Sequence, residues 1–193
     1  MSATTASATT TVEAMYRAVE RDAKDWRRPH LGASVLGKDC DRVVWLSFRW
    51  AQNPGHDGQK LSLFDRGTAE ERVAFSRMRA AGICVDAVDP ATGKQWHVEL
   101  APHVSGSADS IVTGLLEAPD EPHVLDVKTA KLKAYEAMLK NPSARAWSAG
   151  YWAQQQVYMH GLRTRGIEVA SAALLVVCKD DDRMHLLRFP FEP

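Results

Sequence analysis

The chain has 193 residues, 45% of them hydrophobic, with 24 Lys/Arg against 24 Asp/Glu. That length and composition fit one globular domain with its own core, and a formal net charge of zero excludes a histone-like coat that binds DNA by bulk charge alone. Three scattered cysteines, Cys40, Cys84 and Cys178, make neither a disulfide framework nor a zinc ribbon and read as reduced, buried thiols of a cytoplasmic protein, and no apolar run reaches the roughly 18–20 residues that span a bilayer.

Residues 1–10 are rich in Ser, Thr and Ala, lack the apolar stretch of a secretory signal, and are expected to form a disordered lead-in. The remainder, 11–193, reads as a single domain. Its 11–60 portion is helical, with one helix over Val12–Trp26 capped by Thr11 and another over Lys38–Ala51, separated by the Pro29/Gly32 break. After a loop at Asn53–Gln59 comes a longer helix, Leu61–Ala81, closed by Gly82. Gly67 inside it marks a break or a close approach.

The period then changes from helical to alternating. Ile83–Val88 and Gln95–Leu100 read as strands joined by the turn DPATGK. Ser107–Thr113 and His123–Lys128 read as further strands, followed by helices over Lys131–Leu139 and Ser148–Leu162. Ala172–Cys178, AALLVVC, is a buried strand that pairs with Met184–Phe189 through KDDDR. This order predicts an α/β (α+β) sandwich around a mixed sheet.

The chemistry concentrates at two acids on neighbouring strands. Asp109 lies in GSADSIV and Asp126 in HVLDVKT. Side chains at i and i+2 of a strand share a face, so Asp126 and Lys128 project together while Val127 turns into the core. Clustered carboxylates repel one another, and a hard divalent cation with oxygen ligands, Mg²⁺ or Mn²⁺, relieves that repulsion. With an ammonium beside them, these groups suit phosphodiester hydrolysis. A D-x-K tripeptide alone is a weak signal. The series around it is stronger: Glu70/Glu71 on the preceding helix, then Asp109, then Asp126–Val127–Lys128, then Gln154 and Tyr158 on one helix face.

The segments RGTAEERVAF, GSADSIV, LDVKTA and QQQVY together resemble the PD-(D/E)XK nuclease superfamily, within it the RecB-like and lambda-type phage exonuclease branch. The resemblance spans residues 26–178, with Ala108 standing where Pro gives the superfamily its name. It implies a restriction-endonuclease-like catalytic core over 61–193. It implies a metal held by Asp109, Asp126, the Val127 carbonyl and Glu71 (Glu70 being the competing choice). Lys128 becomes the base that positions the attacking water, or a charge stabiliser. Gln154 and Tyr158 would face the catalytic centre and the DNA, and Ser34 and Arg42 would hold a phosphate. The implied function is a Mg²⁺-dependent exonuclease acting on double-stranded DNA ends in phage-type recombination or repair. A ring-shaped homo-oligomer and a single-strand annealing or recombination protein are the implied partners. Branches of the superfamily that carry an iron–sulfur cluster need four cysteines, so none is expected here. A structure-specific or nicking endonuclease, and a non-cleaving DNA- or partner-binding member, remain as alternatives. His30, His103 and His123 read as ordinary polar residues, and Trp147 and Trp152 as core packing rather than base-stacking platforms.

Overall fold

The computed structural model describes residues 10–23, 30–49, 51 and 55–192. Of the expected lead-in, residues 1–9 lie outside the described residues, whereas Thr10 is the N-cap of the first helix, α1 (Thr11–Asp22). Thr10, not Thr11, caps because Glu13 stands three residues on. The Glu13 amide donates to the Thr10 hydroxyl oxygen at 3.2 Å, and the Thr10 amide donates back to the Glu13 carboxylate at 2.9 Å. Such a reciprocal box contributes about 1 kcal/mol. The helix ends at Asp22; the expected continuation to Trp26 runs into residues outside those described.

The next segment is more broken than its composition suggests. A short strand β1 (Leu31–Gly32) leads into a single helical turn α2 (Ala33–Leu36), and α3 covers only Asp41–Phe48. Gly37 ends α2 where the chain passes close to another backbone: a Cβ there would sit 2.6 Å from Cα of Gly150. Helix α4 (Gly58–Ala80) starts three residues earlier than its apolar pattern, because the Asp57 side chain accepts from the Lys60 amide at 2.8 Å. Gly67 neither breaks this helix nor meets a neighbour within 4 Å. Gly82 follows with φ of 84°, the left-handed conformation that glycine adopts without penalty.

Strands β2 (Cys84–Asp86) and β3 (Trp96–Ala101) do not form the expected hairpin. The turn between them closes through the Asp89–Lys94 bridge, but the strands diverge into different sheets. The stretch expected as one strand at Ser107–Thr113 is also divided, into β4 (Val104–Ala108) and β5 (Ser110–Thr113). Thereafter the elements follow the sequence closely: β6 (His123–Ala130), α5 (Leu132–Lys140), a short α6 (Ala144–Trp147), α7 (Ala149–Thr164), β7 (Ser171–Cys178) and β8 (Met184–Pro190).

Two mixed sheets result, a small one ordered β1-β4-β3 and a five-stranded one ordered β2-β5-β6-β7-β8. Within the larger sheet β6 and β7 are parallel and the other pairs antiparallel. Strand alternation sends Leu125, Ala173 and Leu175 to one face, where Ala74, Phe75 and Met78 of α4 cover them. The opposite face takes α7 through Tyr158, Met159 and Leu162, and α5 through Tyr135 and Met138. The outcome is a mixed α/β protein with helices on both faces of its main sheet. Each fully buried aliphatic side chain of these layers contributes roughly 2 kcal/mol to their cohesion. Among the described residues no helix is long and apolar enough to cross a membrane. Cys178 is buried in this core, but Cys40 and Cys84 are exposed, contrary to the expectation of three buried thiols.

Candidate active site

Asp109 occupies the one-residue junction between β4 and β5, where the chain passes from the small sheet to the large one. The antiparallel register of β5 with β6 pairs Ser110 with Leu125. Carried one residue further, that register sets Asp109 opposite Asp126. The two carboxyl groups are hydrogen-bonded to each other. On β6 the i, i+2 rule holds, and Nζ of Lys128 lies 2.5 Å from Oδ2 of Asp126. Val127 turns the other way, against the α4 cluster.

Helix α4 decides between the two candidate glutamates. Ala74, Phe75 and Met78 face the sheet, and a residue one turn earlier on that stripe is Glu71, not Glu70. Its carboxyl is raised from the usual carboxylate range by burial and by the charge of Asp126, with Lys128 and Arg72 opposing.

The electrostatics are those of a crowded acid cluster. Desolvation, the hydrogen bond to Asp126 and the charges of Asp126 and Glu71 push Asp109 up to about 9, against the pull of Lys128. Asp109 is therefore protonated at neutral pH and donates to Asp126. Desolvation pulls the Lys128 ammonium down, but the Asp126 carboxylate outweighs it and holds the group above its ordinary value. Lys128 stays charged, which suits a stabiliser of negative charge better than a base. The Tyr151 ring packs 4.9 Å from its Nζ, a cation–π contact that steers the ammonium.

A cleft of about 440 Å³ opens beside Asp109. Gln154 and Tyr158 line it from α7, joined by a 2.8 Å hydrogen bond from the Gln154 amide to the Tyr158 hydroxyl oxygen. Tyr158 serves both structure and site: its ring belongs to the core cluster, and its hydroxyl is held protonated by desolvation. Gly106 makes room for that ring, since a Cβ there would lie 2.8 Å from Cε1 of Tyr158. This supplies a physical reason for the glycine of the G-x-x-D strand. Asp126 sits behind the cleft, 2% exposed.

Ser34 lines the same cleft from α2, as a phosphate-holding hydroxyl should. Arg42 does not: on α3 it is exposed and is not among the lining residues. Sequence reasoning passed over Gln95, His97 and Ser107 and read His30 as an ordinary polar residue; all four line the cleft, with Ala33 and Gly106. The signal for Ser107 was its place two residues before Asp109 on one strand face. His97 stands opposite Ser107 in the β3–β4 register, with Nδ1 3.4 Å from the hydroxyl oxygen, a pairing hidden by the supposed β2–β3 hairpin. His123 and His103, the other two read as ordinary polar residues, are structural. His123 is buried and bonded to the Ser171 hydroxyl at 2.7 Å, and the His103 ring packs against Phe48. Trp147 and Trp152 pack against the third core cluster.

Among the described residues no group of three His, Cys, Asp or Glu side chains is arranged to hold a metal ion. Asp109 and Asp126 are in contact, and Glu71 contributes charge without joining a ligand set. Mg²⁺ nonetheless keeps several waters and binds through one or two carboxylates. The donor set fits that habit. Oδ2 of Asp126 is buried, with the Lys128 ammonium 2.5 Å away as its partner. The two facing carboxyl groups of Asp109 and Asp126 are hard oxygen donors of the kind such a cation takes.

No protein-family model matches the chain, and no curated protein matches it in sequence. Among solved structures, that of the archaeal protein SSO0001 is similar at a TM-score of 0.48 with 12% identity, over 94% of this chain and 79% of SSO0001.

Proposed function

We propose that this protein is a divalent-metal-dependent deoxyribonuclease of the PD-(D/E)XK type that hydrolyses phosphodiester bonds at DNA ends. The observation that carries the reading is the coincidence at one sheet junction of Asp109 facing Asp126, an ion-paired Lys128 beside them, and Glu71 within electrostatic reach. Asp109, Asp126 and the Val127 carbonyl would hold Mg²⁺ or Mn²⁺, which supplies positive charge for the scissile phosphate and a local source of hydroxide.

The chain's own groups divide the remaining work. The Lys128 ammonium stabilises negative charge as water adds to phosphorus and the bond to the leaving oxygen breaks. Tyr158 and Gln154 present a hydroxyl and an amide to the substrate side of the cleft, and Ser34 offers a second hydroxyl to a phosphate oxygen. A 440 Å³ cleft is in the range that takes a small ligand, which suits the terminal nucleotide of a chain. A ring-shaped homo-oligomer, an annealing or recombination partner, and a cytoplasmic site of action belong to the same reading through the lambda-type resemblance.

The test compares linear duplex DNA with covalently closed circles, each with Mg²⁺ and each with excess EDTA. Degradation of the linear form alone, and only with Mg²⁺, is expected. Equal cutting of circles would make the protein an endonuclease, and full activity in EDTA would remove the assignment.

A further inference from the structure

Helix α7 packs across β6, and one contact and one shared core cluster indicate the register. At one end Tyr151 meets Lys128, and at the other Met159 shares a core cluster with Val124. From Tyr151 to Met159 is eight helical residues, and from Lys128 to Val124 four strand residues. Four residues of helix advance about 6 Å and two of strand about 6.7 Å, so the steps match. The helix residue midway is Gln155, and the strand residue midway is Asp126. Gln155 therefore lies over Asp126.

Their demands are met unequally. Gln155 is fully buried, at 0% exposure, and neither its Nε2 nor its Oε1 has a hydrogen-bond partner. Beneath it, Oδ2 of Asp126 is buried and holds the Lys128 ammonium, 2.5 Å away, as its partner. A buried amide left without partners is costly and has no place in a helix designed only to pack, where Leu or Met would serve better. Gln154, its neighbour, is bonded to Tyr158 and faces the cleft, so the two glutamines have different tasks.

We propose that Gln155 is a positioning residue for Asp126. Its Nε2–H donates to Oδ2 of Asp126 when the Lys128 ammonium leaves that oxygen for the reacting phosphate, and so keeps the carboxylate aimed at Asp109. The catalytic consequence rests on the nuclease reading; the pairing itself does not.

Two measurements test it. In Gln155→Met, of nearly equal volume, Mg²⁺ affinity by calorimetry should fall on the order of tenfold or more, the effect of losing a partner that orients a ligand. Turnover should fall with it while KM for DNA holds. Separately, the ¹⁵N side-chain amide resonance of Gln155 should move between the native protein and Asp126→Ala. An amide resonance indifferent to Asp126→Ala overturns the pairing. Gln155→Met that melts higher and binds Mg²⁺ like the native protein overturns the positioning role. Should Gln155→Met not fold, the resonance comparison decides alone. Should the native protein bind no Mg²⁺ or Mn²⁺, the nuclease reading falls while the resonance still reports on the pair.

Discussion

Two buried acid–base pairs in this molecule have the same contact distance and opposite characters. Asp89 meets Arg165 at 2.5 Å with its side chain 3% exposed; Asp126 meets Lys128 at 2.5 Å with its side chain 2% exposed. Around Asp89 every demand is met. Its second oxygen accepts from the Ala91 amide at 2.9 Å, and Arg165 also donates to the His97 carbonyl at 2.7 Å. The hydrogen bond from Arg165, then that from Ala91, holds its carboxyl below the usual range. Around Asp126 the demands conflict. A second acid faces it, a third adds charge, and Asp109 is driven to hold a proton. The first pair staples the β2–β3 turn to the end of α7. The second leaves a crowding of acids that the proposed cation would relieve. The distance between charges does not tell a structural pair from a functional one; the satisfaction of the groups around them does.

The sharpest break in this comparison comes from deleting each acid in turn. Asp126→Ala should lower cleavage on the order of a thousandfold, the scale of losing a principal electrostatic element of the site. Its fold should persist with a modestly lower thermal melt, because Asp109 is free to ionise and take over the Lys128 ammonium. A nuclease assay beside a melting curve reads both. An unfolded variant would make Asp126 structural, and an active one would move the site elsewhere. Lys128→Ala should cost on the order of a hundredfold in single-turnover rate, with DNA affinity in Ca²⁺ changed only a few-fold. Lys128→Arg should rescue poorly, since a planar guanidinium does not replace a compact point charge under Tyr151. Normal cleavage with weak binding would instead make Lys128 a phosphate anchor. Asp89→Ala should shift the loss from rate to stability. It strands the Arg165 guanidinium and should lower the melting temperature, with the single-turnover rate of the folded protein intact. A large loss of rate in a stable Asp89→Ala protein would dissolve the distinction.

The same contrast explains what could be read from the chain beforehand. Asp126, Lys128, Gln154 and Tyr158 lie on one long strand and one long helix, where period alone fixes which side chains share a face. β7 and β8 were legible for the same reason: an apolar run, an acidic turn, an alternating run. Asp109 was legible as a residue but not as a place. Its strand is in truth two, and the break falls on the candidate acid itself, because the chain must leave one sheet and enter another there. Asp89–Arg165 was not legible at all, being made by residues 76 apart that only the tertiary fold brings together. The β1–α2 segment escaped notice because its form follows from close approach to α7 at Gly150, a tertiary fact overriding weak local preference.

The smallest effect sharpens the comparison most directly, because it measures frustration itself. Asp109 has its carboxyl raised from 3.8 to about 9 in the folded chain, by desolvation first and then by the hydrogen bond and charge of Asp126. Between those values the folded protein binds a proton that the unfolded chain has lost. A raised group contributes stability that is full below the lower value and is lost as pH rises through the upper one. In excess EDTA the melting temperature should therefore decline from pH 7 to pH 9. His123, its pKa lowered by burial, affects stability only on the acid side of that window. Tyr158 and Lys128, both raised, act above it. Mg²⁺ competes with the Asp109 proton, so the increment in melting temperature on adding Mg²⁺ should widen over the same interval. Asp109→Asn cannot titrate, and its EDTA melting curve should lose the decline. Asp89→Asn should keep it, since the Asp89 carboxyl is lowered and its stabilising effect is complete well below pH 7. Equal slopes for native protein and Asp109→Asn would mean that Asp109 is ionised in the resting fold, leaving the acid cluster no more frustrated than the Asp89 pair.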